Sequence, residues 1–322
     1  MGLSNTQRLT PWQRIGTDIH DCHTSSEAIA HAGMNWTVSR HRLYMTGPDG
    51  LANEVQAYAI CRDDNGERIA EHVGRGFMPI QNSDAFGWFD DFIASGEVRL
   101  QTAGQTRGGE RVWIFAQINR EPEMITQDDA LQQFLLLSNC HSSRGALRVG
   151  FVGVHLNRGT SMGVYSRTSS MRLLRIRHTR NGGATLAAAA NCIDAVAGTF
   201  KVQCDRYREL ARSSADSKLI RQYITNLFRL SDPKGNISPR GNRVIDSVLR
   251  RIDDSNPSWW QAYLAVCDHL NHEHGQKKSQ EKRVDSVLFG HNNNLAVEGL
   301  GLAEEFIASM QADESQQPTF VS

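Results

Sequence analysis

Val98-Arg99-Leu100-Gln101-Thr102 and Arg111-Val112-Trp113-Ile114-Phe115-Ala116-Gln117-Ile118 are two short runs rich in β-formers, linked through Gly104 and Gly108-Gly109. Such runs read as strands, and a glycine-bearing link closes them into a hairpin. A hairpin pairs its strands antiparallel. The neighbouring sequence repeats the pattern. Residues 36–38 and 43–45 read as a strand, Gly47-Pro48-Asp49-Gly50 as a turn, and residues 55–61 as the next strand. Asp63-Asp64-Asn65-Gly66 turns the chain again into a return strand over 69–74. Residues 134–137, 147–156 and 173–176 supply further strands. Successive hairpins build an antiparallel sheet, not an alternating βαβ unit.

One helix interrupts this region. Ser83 is placed as an N-cap with Asp84 in the first turn, apolar residues recur from Ala85 to Ile93, and Gly96 ends the helix. After residue 183 the character changes to strong helix formers. Helices are expected from 184 to about 211, then over 218–230, 243–251, 257–272, 283–289 and 295–310. The expected fold class is therefore α+β: an antiparallel sheet-rich N-terminal part followed by a helical C-terminal part. The expected divisions are a polar arm at 1–30, a β-rich region at 31–180, a helical region at 181–312 and a flexible tail at 313–322.

Several strings, taken in order, resemble the phage- and plasmid-borne proteins grouped as domain of unknown function 932. They are Gly33-Met34-Asn35-Trp36-Thr37-Val38, Val73-Gly74-Arg75-Gly76-Phe77-Met78-Pro79-Ile80-Gln81-Asn82, Phe134-Leu135-Leu136-Leu137-Ser138-Asn139 and Ile176-Arg177-His178-Thr179. Pro11-Trp12, Gly108 to Trp113, Trp260 to His269 and Leu288-Phe289-Gly290 extend the likeness over roughly residues 10–300. One stretch departs from the family pattern: Val154-His155-Leu156-Asn157-Arg158-Gly159-Thr160-Ser161-Met162 stands where relatives carry Cys-x-Asn-Thr-Leu. The resemblance implies a mobile-element setting near replication, recombination or anti-restriction. It supplies no activity.

The chemistry is in the charge pattern. The 322-residue chain has no net charge, yet no acidic residue lies between Asp129 and Asp194. That span carries Arg144, Arg148, Arg158, Arg167, Arg172, Arg175, Arg177 and Arg180, no lysine, and His141, His155 and His178. Arginine suits phosphate because its planar fork donates two parallel hydrogen bonds and is weakly hydrated. Interleaved glycines allow close approach, and serines and threonines add donors. Arg144, Arg148, Arg158, Arg172, Arg175, Arg177 and Arg180 are thus the expected nucleic-acid contacts, with DNA the expected partner and self-association expected. Tyr44, Phe77, Phe151 and Tyr165 are candidates for stacking bases. The competing reading pairs these arginines with carboxylates from the rest of the chain.

A weaker candidate is a metal or acid–base site of His178, Asp268, His269 and His272, of which the last three share helical spacing. Against it, the stretch from Asn271 to Lys278 reads as a solvated helix end. Gly159-Thr160-Ser161-Met162-Gly163 matches the nucleophile-elbow spacing, but in an antiparallel setting. No phosphate-binding loop or dinucleotide fingerprint is present, so no cofactor is expected. A protein that binds a host factor remains a further alternative. No apolar run approaches a membrane span, and six dispersed cysteines without a C-x-x-C pair fit a reducing cytoplasm.

Overall fold

The computed structural model describes residues 8–143, 145–163, 174–179, 193–252, 255 and 257–316. It is an α+β fold with two antiparallel sheets. The strands are β1 (Thr17–Asp18), β2 (Val38–Thr46), β3 (Ala52–Arg62), β4 (Arg68–Val73), β5 (Val98–Thr106), β6 (Arg111–Ile118), β7 (Glu123–Met124), β8 (Ala130–Cys140), β9 (Leu147–His155), β10 (Thr160–Ser161) and β11 (Leu174–Ile176). The helices among the described residues are α1 (Ser25–His31), α2 (Asn82–Gly87), α3 (Asp90–Ala94), α4 (Ile193–Arg212), α5 (Ser217–Leu227), α6 (Pro239–Leu249), α7 (Trp259–His272), α8 (Gln280–Phe289) and α9 (His291–Gln316).

The large sheet runs β1-β5-β6-β8-β9-β10, with β11 also on β9 and β7 on β8. Both of its faces are covered. Trp113, Phe115, Leu136 and Val152 point to one side, where Trp12 and the apolar residues of α8 close over them. The Trp12 ring stacks on Phe115 at 4.4 Å. Val112, Ile114, Leu135, Leu137 and Val149 point to the other side, into a core that continues through α7 to Ala303 near the C-terminus. Burial on both faces explains why β6 reads as an unbroken apolar run and not as an alternation. Each fully buried large apolar side chain contributes about 1.5–3 kcal/mol.

The small sheet, β2-β3-β4, is a hairpin with a short third strand. Beyond β4 the β2–β3 pair continues as a two-stranded ribbon from Leu43↔Val55 to Thr46↔Ala52. Its tip exposes Tyr44, Met45 and Leu51.

Helix α7 is the axis of the helical part. Its sequence is apolar all round at its start, and all but one of its residues are buried. A reciprocal capping box, Ser258 with Gln261, fixes where it begins. The six expected helices beyond residue 190 are observed with end shifts of a few residues, while residues 184–190 lie outside the described set.

Two expectations change. The helix expected from Ser83 is two short pieces, α2 and α3, broken at Trp88 and Phe89. Gln81, not Ser83, stands at the cap position, and its amide is used elsewhere, pairing with the backbone of Val38 in both directions at 2.9 Å. The stretch expected as a polar arm is packed over its described part: Trp12, Ile19 and Ile29 are buried, and β1 adds to the edge of β5.

Candidate nucleic-acid interface

Strand β11 positions the first functional side chains. It pairs antiparallel with the start of β9: Leu174↔Val149, Arg175↔Arg148, Ile176↔Leu147. Strand alternation then sorts the chain. Ile176 and His178 are buried, whereas Arg175, Arg177 and Thr179 are exposed. Neither Arg175 nor Arg177 makes a hydrogen bond or ion pair among the described residues.

The second wall is the loop after β4. Phe77 N–H closes a turn on the Gly74 carbonyl at 3.0 Å. One Arg40 nitrogen donates to the carbonyls of Arg75 (3.1 Å) and Phe77 (3.0 Å), and its guanidinium lies over the Tyr58 ring. The loop is also locked to β11's extension. Met78 N–H donates to the His178 carbonyl at 3.0 Å, Ile80 N–H donates to His178 Nδ1 at 2.9 Å, and the Phe77 and His178 rings stack at 4.8 Å and 11°. The third wall is the turn after β8, with Ser143 and Gly145. A Cβ on Gly145 would lie 2.0 Å from the Cys140 carbonyl, so only glycine fits that turn. Together the three walls line an open cavity of about 460 Å3, with no carboxylate among its described lining residues.

A buried polar network lies against this cavity. Asn82 donates to the Met34 carbonyl at 3.0 Å, so its Oδ1 is the acceptor that faces His141 Nε2 at 3.0 Å. Asn139 Nδ2 donates to the Ile80 carbonyl at 2.9 Å. These bonds fix the tautomers. His178 accepts at Nδ1 and therefore carries its proton on Nε2. His141 carries its proton on Nε2 and has a bare Nδ1. Among the described residues, His141 Nδ1, Asn139 Oδ1 and Trp36 Nε1 are buried without a hydrogen-bond partner, while His178 Nε2–H has the Cys140 carbonyl nearby. Burial pushes His178 down to about 4, a little offset by the nearby Cys140 carbonyl, and burial with the neighbouring His178 pushes His141 down to about 3. Both are neutral at pH 7.

The expected contacts do not all meet here. Arg175 and Arg177 line the cavity, and Arg148 is in register with Arg175 on the adjacent strand. Arg144, Arg172 and Arg180 lie outside the described residues, as does Tyr165. Arg158 does not belong to the site. It follows the opposite end of β9, roughly 20 Å along the strand from Arg148 at about 3.3 Å per residue. There its charge bears on Asp129. Burial would raise Asp129, but hydrogen bonds from His155 Nε2 (2.7 Å) and Trp260 Nε1 (2.8 Å), with Arg158 behind them, hold it below its usual value. Among the aromatic candidates Phe77 is in the cavity wall, Phe151 is core, and Tyr44 is on the distal ribbon.

The metal candidates separate for the same reason. His178 is tied to the Val149 end of β9 through β11, while the last turn of α7 packs on β10 at the His155 end. Among the described residues no group of three His, Cys, Asp or Glu side chains is placed to hold a metal. The stretch that reads as a solvated helix end is buried only at Asn271 and His272; Glu273 to Gly275 are half-buried and Gln276 to Lys278 are exposed. Asp268 accepts from Arg251 Nε (2.6 Å) and Thr160 Oγ1 (2.8 Å), and Arg8 reaches both of its oxygens. His269 faces the Ser247 hydroxyl at 2.7 Å. Burial works to raise Asp268, and the bonds from Arg251 and Thr160 outweigh it. His269 and His272 are pushed down to about 4 by burial. This is a polar junction between helices and sheet, in which the Asp268 carboxylate is fully engaged while His269 Nε2 and His272 Nδ1 are buried without a partner among the described residues. Ser161 is likewise no elbow nucleophile. It lies in β10, and its hydroxyl donates to Asn271 Oδ1 at 2.9 Å.

Of the loop over 74–79 only Phe77 is a candidate from the sequence; the rest of the loop, Arg40 and the Asn82–Asn139–His141 network are not. The available signal was Gly74-Arg75-Gly76 ahead of Pro79, two glycines around a cation.

The fold and this site define an α+β protein with a cation-lined cavity at the junction of two antiparallel sheets. A family model described as a domain of unknown function (DUF932) matches residues 70–288, more than half of the chain, and the protein belongs to that family. No curated protein and no solved structure matches it. Four of the strings that carry the family likeness meet at the cavity. They supply Met34 and Trp36, Gly74 to Asn82, Asn139, and Arg177 to Thr179. Among the described residues no helix is long and apolar enough to cross a membrane.

Proposed function

We propose that this protein binds nucleic acid, with DNA of a phage or plasmid as the partner, and that Arg175 and Arg177 grip its phosphate backbone. The observation that carries the reading is a pair of exposed guanidiniums, free of any carboxylate partner among the described residues, facing one cavity with the Ser143 and Thr179 hydroxyls. Exposed arginines in folded proteins commonly find acidic neighbours, as Arg42 does with Glu54 and Arg229 with Glu298. A cation left unpaired beside hydroxyls and glycines has the composition of a phosphate site. Single-strand binding or annealing during replication or recombination is the activity that fits a site without a catalytic set.

The test is fluorescence anisotropy with labelled single- and double-stranded oligonucleotides across a salt series. Binding weakens linearly in log salt, and Arg175→Gln with Arg177→Gln lowers the slope by about 1.4–1.8, since each phosphate contact contributes roughly 0.7–0.9. Absence of binding at low salt, or a slope indifferent to both substitutions, refutes it. The alternative of an enzyme built on His178, Asp268 and His269 has lost its geometry, because these residues do not meet.

A further inference from the structure

We infer that the cavity takes a single nucleotide of an unpaired strand, its base against Phe77 and its phosphate against Arg175 and Arg177; this rests on the nucleic-acid reading above. Four observations lead there.

The first is size. A cavity of about 460 Å3, walled on three sides, matches a small-molecule site and does not admit the width of a duplex. The second is its limits. The adjoining cavity shares Ser143 but carries Glu71 and Glu110 beside Arg68. On that side, among the described residues, the cationic lining gives way to carboxylates.

The third is Phe77. One ring face is occupied by His178, and the ring is half-buried in the cavity wall. Arg40 fixes its carbonyl and His178 fixes the next residue, so the ring is held in place before any ligand arrives. Stacking of a base on such a ring is worth about 1–3 kcal/mol whatever the base.

The fourth is the pair Gly74 and Gly76. Neither has the left-handed backbone that favours glycine, and a Cβ on either would meet no atom within 4 Å. Neither backbone strain nor packing accounts for them, and both line the cavity. Close approach of a bound group does account for them. Beside them, His178 itself lines the cavity.

The experiment uses the full chain and a short oligonucleotide carrying one 2-aminopurine, alone and annealed to its complement. The single strand is expected to bind at least tenfold more tightly than the duplex and to lose 2-aminopurine fluorescence on binding. Gly76→Ala is expected to weaken single-strand binding about tenfold with an unchanged melting temperature, because its methyl group meets only the cavity. Phe77→Leu abolishes the quenching, and Phe77→Trp keeps it. Equal binding of strand and duplex, or an inert Gly76→Ala, overturns the one-nucleotide site while leaving the nucleic-acid reading intact. Free nucleoside monophosphate binding as tightly as the oligonucleotide overturns the strand as its source. No binding of any DNA overturns the nucleic-acid reading itself.

Discussion

Replacing Asp268 by alanine tests whether the buried polar junction at the end of α7 is structural. The carboxylate is 5% exposed and Arg251 11%. Asp268→Ala removes the acceptor of Arg251 Nε and of the Thr160 hydroxyl, and leaves a buried guanidinium short of a partner. Breaking one side of a buried ion pair costs about 3–5 kcal/mol. Glu273 still holds Arg251 from the solvent side at 2.5 Å, which places the cost near the lower bound, about 3 kcal/mol. For a chain of this length unfolding entropy is roughly 0.7 kcal/mol per degree, so the melting temperature falls by about 4–5 °C. Asp268→Asn keeps the volume and one acceptor and falls by less. Scanning calorimetry and urea titration measure the loss, and anisotropy on the same preparation measures DNA affinity. That affinity stays unchanged, because Asp268 and Arg175 are anchored at opposite ends of β9. A melting temperature within about 1 °C of the parent would refute the structural role. Lost DNA affinity in a fully stable Asp268→Ala protein would refute the separation of the two sites.

Acid destabilises the fold before carboxylates titrate. His141, His178, His269 and His272 are held at about 3 or 4, below the usual histidine value. Below pH 6.5 the unfolded chain takes up protons that the folded chain refuses, so stability is full above 6.5 and declines as pH falls toward 4. The loss is on the order of 1 kcal/mol per histidine per pH unit, and a urea midpoint flat between pH 7 and 5 contradicts it. Gly104→Ala puts a methyl 2.6 Å from the buried Trp113 ring and costs about 1–3 kcal/mol, read as a lower melting temperature that Gly76→Ala does not share. The expected self-association has an exposed apolar tip to draw on, at Tyr44, Met45 and Leu51. If that tip carries the expected self-association, changing all three to serine shifts stability by no more than about 1 kcal/mol and lowers the mass measured by light scattering; an unchanged mass refutes the contact.

Much of the architecture is legible because local rules and tertiary environment agree. Glycine turns flank β-formers in β5 and β6, and the helices after residue 216 carry capping side chains at Asp216, Ser238, Ser258 and Ser279. Strand β8 is seen only as its apolar centre, because Gln132, Gln133, Ser138 and Asn139 are polar and yet buried. Gln132 and Asn139 find their partners in other elements, at the Ile118 and Ile80 carbonyls, and no local pattern announces that. The same limit governs the site. His178 and Asp268 look like partners in a list of residue types, but each is fixed at a different end of one strand.

The arginine run itself is a statement about where counter-charges are missing, not about where cations point. Strand register decides the second question. With Arg175 opposite Arg148, the odd positions 175, 177 and 179 face solvent and the even positions 176 and 178 face the core. A slip of one residue would turn two unpaired guanidiniums inward and Ile176 outward. Burying an unpaired cation costs several kcal/mol, far more than the ladder bonds of a three-residue strand return. The cations proposed to grip phosphate therefore also specify the pairing that builds the cavity wall. Replacing Arg175 and Arg177 with apolar residues would loosen that register, whereas glutamine keeps it and removes only the charge.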